Sequence, residues 1–275
     1  MVIDFHTHVV QKYEDWDETV HQLIKDYNPD FHRNFASHMS PSGLLAQMDD
    51  AGIDYSVVLA EYAPITCGIT TNQFAAQFCQ HSPRLIPFAS VNPYLVAHPA
   101  QKLEQEIKEY HFKGLKLEPT YVYFYPNESK IYPIYEVAAH FDIPLLVHTG
   151  SSIFKGARLK YGDPLLLDDV AVDFPQLRII QSHGGRGFWY ERAFFLAKLH
   201  QNVYIDISGL PPKNLLKYFP NLDDLSHKII FGSDWPNLPS LKENINAIKQ
   251  LPISQQAKEN ILYKVAANIL KIELE

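Results

Sequence analysis

Cysteine is scarce: Cys67 and Cys79 are the only two in 275 residues. Two thiols cannot build a disulfide framework and these lack metal-site spacing, so both are expected to be small buried hydrophobes in a reducing compartment. No stretch approaches the roughly 18 apolar residues that would span a bilayer. The opening MVIDFHTHVV has no basic cluster, and Asp4, His6 and His8 break its apolar stretch, so neither a signal peptide nor a membrane anchor is expected there. Lys/Arg-rich runs are absent as well. With 24 basic against 31 acidic residues the net charge is -7, which argues against nucleic acid or an anionic membrane as a partner. Phosphate-cradling loops of the G-x-x-x-x-G-K-[ST] or G-x-G-x-x-G kind are missing too. What remains, 46% hydrophobic and 20% charged, is expected to be one globular domain over residues 1–275, cytoplasmic, with a small molecule as its partner.

Short β-branched or aromatic runs of the kind that form buried parallel strands recur along the chain. They cover residues 2–6, 54–60, 84–91, 113–118, 143–149, 177–183, 203–208 and 228–234. Between them lie segments with helical spacing, at 41–52, 71–83, 99–111 and 186–201, two of which meet Gly52 and Pro83 as stop signals. The interval from one run to the next fits a strand, a loop and a helix returning antiparallel. Eight such units predict a (β/α)8 TIM barrel, in competition with a doubly wound open sheet.

The polar residues decide between the two. His6, His8, His148, His183 and Asp234 all stand at or just past the C-terminal ends of their strands. A barrel brings those ends to one mouth, where active sites are built. In an open sheet the first and sixth strands would usually lie too far apart to share a site. Two insertions depart from the regular spacing, residues 9–50 after the first strand and 119–135 after the fourth. Both are rich in aromatics, and they are expected either to wall a substrate pocket or to pack on each other.

His6-Thr7-His8 puts two imidazoles on one face of a strand, because side chains alternate with period two. Joined by His148, His183 and Asp234, they form a donor set suited to Zn2+ or a similar borderline ion. Lys116 and Glu118 share parity in GLKLEP and are expected to point into the barrel, where they pair, bind a substrate carboxylate or touch a metal. Arg186 is a candidate for binding an anionic substrate group through its planar fork. Trp235 is expected to line the pocket floor or pack beneath it.

The motifs DFHTH, AGIDYSVVLA, RLIPFASVNP, GLKLEP, LLVHTG, SHGG and FGSDWP together resemble the successive strand motifs of the amidohydrolase superfamily. More narrowly, they are similar to the branch of aminocarboxymuconate-semialdehyde decarboxylase, related aromatic-acid decarboxylases and small lactone and carboxylate hydrolases. The resemblance runs from residue 4 to about residue 268. It implies that His6, His8, His148 and Asp234 hold one divalent ion, Zn2+ first and Mn2+ second, with His183 beside it. Asp234 and His183 are then the catalytic proton carriers. A binuclear site, with Glu118 as an added ligand and His183 recruited to the second ion, is the alternative.

The resulting expectation is a metal-dependent hydrolase of a small organic acid derivative such as a lactone, ester or amide. Its alternatives are a non-oxidative decarboxylase of an aromatic or unsaturated acid, and a barrel that binds without catalysis. A homodimer that buries some of the aromatic loops is also an expectation.

Overall fold

A computed structural model describes residues 1–152 and 154–274. Eight parallel strands form one sheet in chain order: β1 (Ile3–His8), β2 (Tyr55–Leu59), β3 (Leu85–Ser90), β4 (Gly114–Leu117), β5 (Leu145–Gly150), β6 (Ile179–Arg186), β7 (Val203–Asp206) and β8 (Ile229–Ile230). Each coincides with one of the eight apolar runs. The last run pairs with β7 over only two residues because the chain then turns to meet β1. The Phe5 amide donates to the Phe231 carbonyl (3.0 Å), the Asp234 amide to that of His6 (2.9 Å) and the His8 amide to that of Trp235 (2.8 Å), which closes the barrel.

Strand periodicity sorts the core into two layers. Ile3, Phe5, Val57, Phe88, Leu146, Ile180 and Ile230 form an inner cluster, whereas Val58, Ala89, Leu115, Leu145, Val147, Ile179 and Ile205 pack outward under the helices. The segment Val265–Leu270 adds Ala266, Ala267 and Ile269 to the inner cluster. Gly114 is required in that layer: a β-carbon there would fall 2.3 Å from Cε2 and Cζ of Phe88. The Phe88 ring is itself held edge-on by Phe5 at 5.4 Å. Overpacking of this kind costs about 1–3 kcal/mol, so Gly114→Ala should lower the urea midpoint accordingly. An unchanged midpoint would show that the layer can relax.

Helices Pro41–Ala51, Asn72–Cys79, Pro99–Tyr110, Tyr132–His140, Leu166–Asp173, Tyr190–Leu199 and Leu241–Lys249 alternate with the strands. The first is capped by Ser40, whose hydroxyl accepts from the Gly43 amide, and ends on Gly52 in the left-handed region. The helix expected over 186–201 begins only at Tyr190, because β6 runs on to Arg186 and the left-handed Gly184, Gly185 and Gly187 then turn the chain.

The insertion at 9–50 folds into short helices, including Glu18–Tyr27 and Pro29–Arg33. Tyr13 stacks on His21 at 3.7 Å, and Phe31 meets Trp235 edge to face at 5.2 Å, while Trp16 lines the central cavity. In the second insertion, Tyr121 of the short turn Pro119–Val122 reaches that cavity. A hairpin of Glu61–Ala63 and Gly68–Thr70 after β2 was not legible as strands; it carries Glu61 and Cys67 to the same place. Among the described residues no helix is long and apolar enough to cross a membrane.

Candidate metal centre

Alternation alone would not place the first histidines correctly. Ile3 and Phe5 face the barrel interior, so His6 and His8 should face outward, but the β1–β2 register shifts between Asp4 and Thr7. This irregularity re-aims the strand end, as bulges near active sites do. The two imidazoles then meet, with their Nε2 atoms 3.1 Å apart. His148 follows the inward parity of Leu146. His183 has the outward parity of Ile179, yet a left-handed backbone (φ 61°) turns its ring into the barrel, and Asp234 is left-handed too (φ 66°). Non-glycine residues rarely adopt this conformation, and where they do it is commonly at functional sites.

All five expected side chains converge. Asp234 Oδ1 lies 3.2 Å from His8 Nε2 and 3.6 Å from His6 Nε2. The His183 ring stands 4.8 Å from that of His148 and 5.1 Å from that of His6. Among the described residues, His6, His183 and Asp234 form a group whose donor atoms all lie within 4.8 Å of one another. His183 is therefore as close to the centre as the ligands that the family resemblance implies. The donor set fits a divalent ion on further grounds. Nε2 of His148 is buried with no hydrogen-bond partner, a cost of about 1–3 kcal/mol that an ion on its lone pair would remove.

The residues behind the histidines fix which nitrogen each presents. His6 Nδ1 donates to Asp206 Oδ2 at 2.7 Å, which leaves Nε2 to the centre. His183 Nδ1 donates to the Ser208 carbonyl at 2.8 Å, with the same result. Ser208 Oγ donates to Asp206 Oδ2 at 2.6 Å and lies 2.9 and 3.0 Å from the two Nδ1 atoms. Asp206 and Ser208 were not singled out in the sequence; a polar i, i+2 pair at the end of an otherwise apolar run was the available signal.

Charge divides the centre. Burial, then the Arg186 charge, holds His148 and His183 well below the ordinary imidazole range, so both are neutral. Burial also depresses His6, with Lys116 next in importance. At His8 burial acts downward but is outweighed by Asp234 and Glu61, which push it up to about 10. These carboxylates make its position favourable for positive charge. Burial works to raise Asp234, yet the His8 hydrogen bond and the charges of His6, His8 and Arg186 keep its carboxyl well below the usual range. Asp206 is raised to about 7, chiefly by burial.

Lys116 and Glu118 do point into the barrel, as expected, but not toward each other. Lys116 Nζ lies 3.3 Å from Ser182 Oγ and 3.4 Å from His6 Nε2. Glu118 lines the cavity beside Glu61, outside the close group of His6, His183 and Asp234. Arg186 lines the cavity too, with Nε and Nη2 donating to the Ser151 carbonyl. Of the two places expected for Trp235, lining the pocket is corrected and packing beneath it holds. It does not line the cavity: it is 1% exposed, its indole N–H donates to Gln47 Oε1 at 3.0 Å, and it packs beneath the site against Phe31. The cavity is small, about 50 Å³, and Trp16, Val20 and Leu23 of the first insertion border it.

Gly209, after β7, touches both charges of the centre. A β-carbon there would lie 2.7 Å from Asp234 Oδ2 and 2.9 Å from Arg186 Nη1, at a φ of +63°. Gly209→Ala should weaken metal binding by about 10- to 100-fold, the range found when groups supporting a metal ligand are disturbed. Titration of zinc into the metal-free variant measures this, and wild-type affinity would mean that the loop shifts freely.

The family model described as Amidohydrolase matches residues 3–272. An uncharacterized TIM-barrel protein from Bordetella bronchiseptica is 22% identical, over 98% of each chain, with a TM-score of 0.83. A 5-carboxyvanillate decarboxylase from Novosphingobium aromaticivorans, complexed with manganese, is 16% identical over 99% of this chain and 96% of its own, with a TM-score of 0.68. A probable 2-pyrone-4,6-dicarboxylic acid hydrolase from Acinetobacter baumannii, with citric acid bound, is 18% identical over 98% of this chain and 99% of its own, with a TM-score of 0.69.

Proposed function

The chain belongs to the amidohydrolase family, and from that premise we propose that it is a metal-dependent hydrolase of a small organic acid derivative, a lactone, ester or amide. His6, His8, His148 and Asp234 would hold one divalent ion, zinc before manganese, since imidazole and carboxylate donors suit either. When bound, such an ion polarises a substrate carbonyl and acidifies water.

The tautomer of His183 carries the choice of hydrolysis. Its Nδ1–H is committed to the Ser208 carbonyl and the ring is neutral, so Nε2 faces the centre as a proton acceptor. Asp234 is ionised and is a second acceptor. Hydrolysis needs a base to take the proton of the attacking water, whereas decarboxylation needs an acid to protonate the carbon that loses CO2. The decarboxylase reading is supported by the similarity to a 5-carboxyvanillate decarboxylase and by Glu118. Burial, and then the Glu61 charge, raises Glu118 well above the usual range, the direction that favours a proton donor. Arg186 has no carboxylate within ion-pair distance among the described residues and would hold an anionic group of the substrate. The free, buried Cys67 and Cys79 suit a reducing compartment, and we place the protein in the cytoplasm.

The test is a panel of lactones, carboxylic esters and aromatic carboxylates, offered to protein loaded with zinc or manganese and scored for product and for CO2. Hydrolytic product without CO2 is expected. Release of CO2 would replace this reading by decarboxylation. Bound metal with no turnover across the panel would make the barrel a binding protein.

A further inference from the structure

The cavity has a second pole, away from Arg186. Glu61 follows β2 and Glu118 follows β4, whereas Arg186 ends β6 and Gly209 follows β7. In an eight-stranded barrel the β2–β4 and β6–β7 arcs face each other across the mouth. Glu118 is 3% exposed, and its Oε2 has no hydrogen-bond partner. Glu61 is buried as well and reaches His8 Nδ1 only at 3.5 Å. No lysine or arginine among the described residues comes within ion-pair distance of either carboxylate; the nearby Lys116 instead faces Ser182 and His6. His8 offsets the charge of Glu61, but the buried Oε2 of Glu118 keeps an open acceptor beside it, which is costly unless a donor joins it. Neither carboxylate belongs to the close group of His6, His183 and Asp234.

We infer that Glu61 and Glu118 form a substrate subsite that accepts hydrogen bonds from a hydroxyl or amino group. It serves the same molecule whose anionic group pairs with Arg186. This rests on the proposed function and narrows its substrates: they carry a donor group distant from the carboxylate, and simple unsubstituted acids fit poorly.

Binding to the zinc-loaded protein, read by calorimetry without turnover, tests the subsite. The probes are butyrate, 4-hydroxybutyrate and 4-aminobutyrate, and benzoate with its 3-hydroxy and 3-amino forms. In at least one series a substituted probe should bind about tenfold or more tighter than the parent acid, the effect of satisfying a buried acceptor that otherwise has no partner. The hydroxyl and amino arms show which donor is preferred. Glu118→Gln should reduce the preference to within about threefold while zinc stays at its wild-type content, with Glu61→Gln as the second variant should the first not fold. Equal binding of substituted and parent acids, no binding of any probe, a preference that survives both variants, or zinc lost from Glu118→Gln would each overturn the subsite. Failure of the hydrolase reading shows elsewhere, in the turnover panel.

Discussion

Replacing His183 by asparagine should lower turnover by about 10³-fold or more while zinc remains bound, the upper part of the range for loss of a positioned acid or base. Asparagine is suitable because it tolerates the left-handed backbone found at this position (φ 61°), so the strand end is kept. It removes the acceptor Nε2, which the Nδ1–H···Ser208 carbonyl bond directs at the centre. Elemental analysis beside a rate measurement separates the outcomes. Retained activity removes His183 from the chemistry. Zinc lost together with activity makes His183 a ligand, which its place in the close group with His6 and Asp234 allows.

Stripping the metal should abolish activity and destabilise the fold by a comparable margin. The donors sit deep in the barrel: His6 and His148 are essentially inaccessible, and Nε2 of His148 has no partner within the chain. An ion at about 1,000 times its dissociation constant stabilises a folded protein by roughly 4 kcal/mol. For a chain of this size that is a shift in melting temperature on the order of 10 °C. Thermal scans of chelated and zinc-restored protein measure it. Identical melting curves, or full activity in chelator, would show that His6, His8, His148 and Asp234 hold no functional ion.

The two experiments bear on different parts of the centre. Loss of the ion reports on His6, His8, His148 and Asp234 as a cage, whereas His183→Asn reports on proton transfer with the cage intact. Asp206 and Ser208 connect them, since the Asp206 carboxylate holds the rear nitrogen of His6 and the Ser208 hydroxyl, bonded to that carboxylate, contacts the rear nitrogens of both His6 and His183. A change at either would disturb both functions at once and is a poorer first test.

The barrel and the convergence of its five polar residues were legible in the amino-acid order alone. Buried parallel strands must be apolar, so a histidine or aspartate ending such a strand stands out, and eight strands at regular intervals have few ways to close. Local pattern also placed Lys116 and Glu118 inward. What the tertiary structure decided are the facts that depend on backbone irregularity or on chain segments distant in sequence. The register shift in β1 and the left-handed turn at His183 override simple alternation, and no residue pattern announces them. Glu61 arrives on a hairpin too short to show periodicity. For Trp235 the sequence left lining the pocket and packing beneath it both open; Gln47, 188 positions away, claims its indole N–H. Period and polarity act between near neighbours and survive in a linear string, whereas hydrogen-bond partners are chosen by what the closed barrel brings within 3 Å.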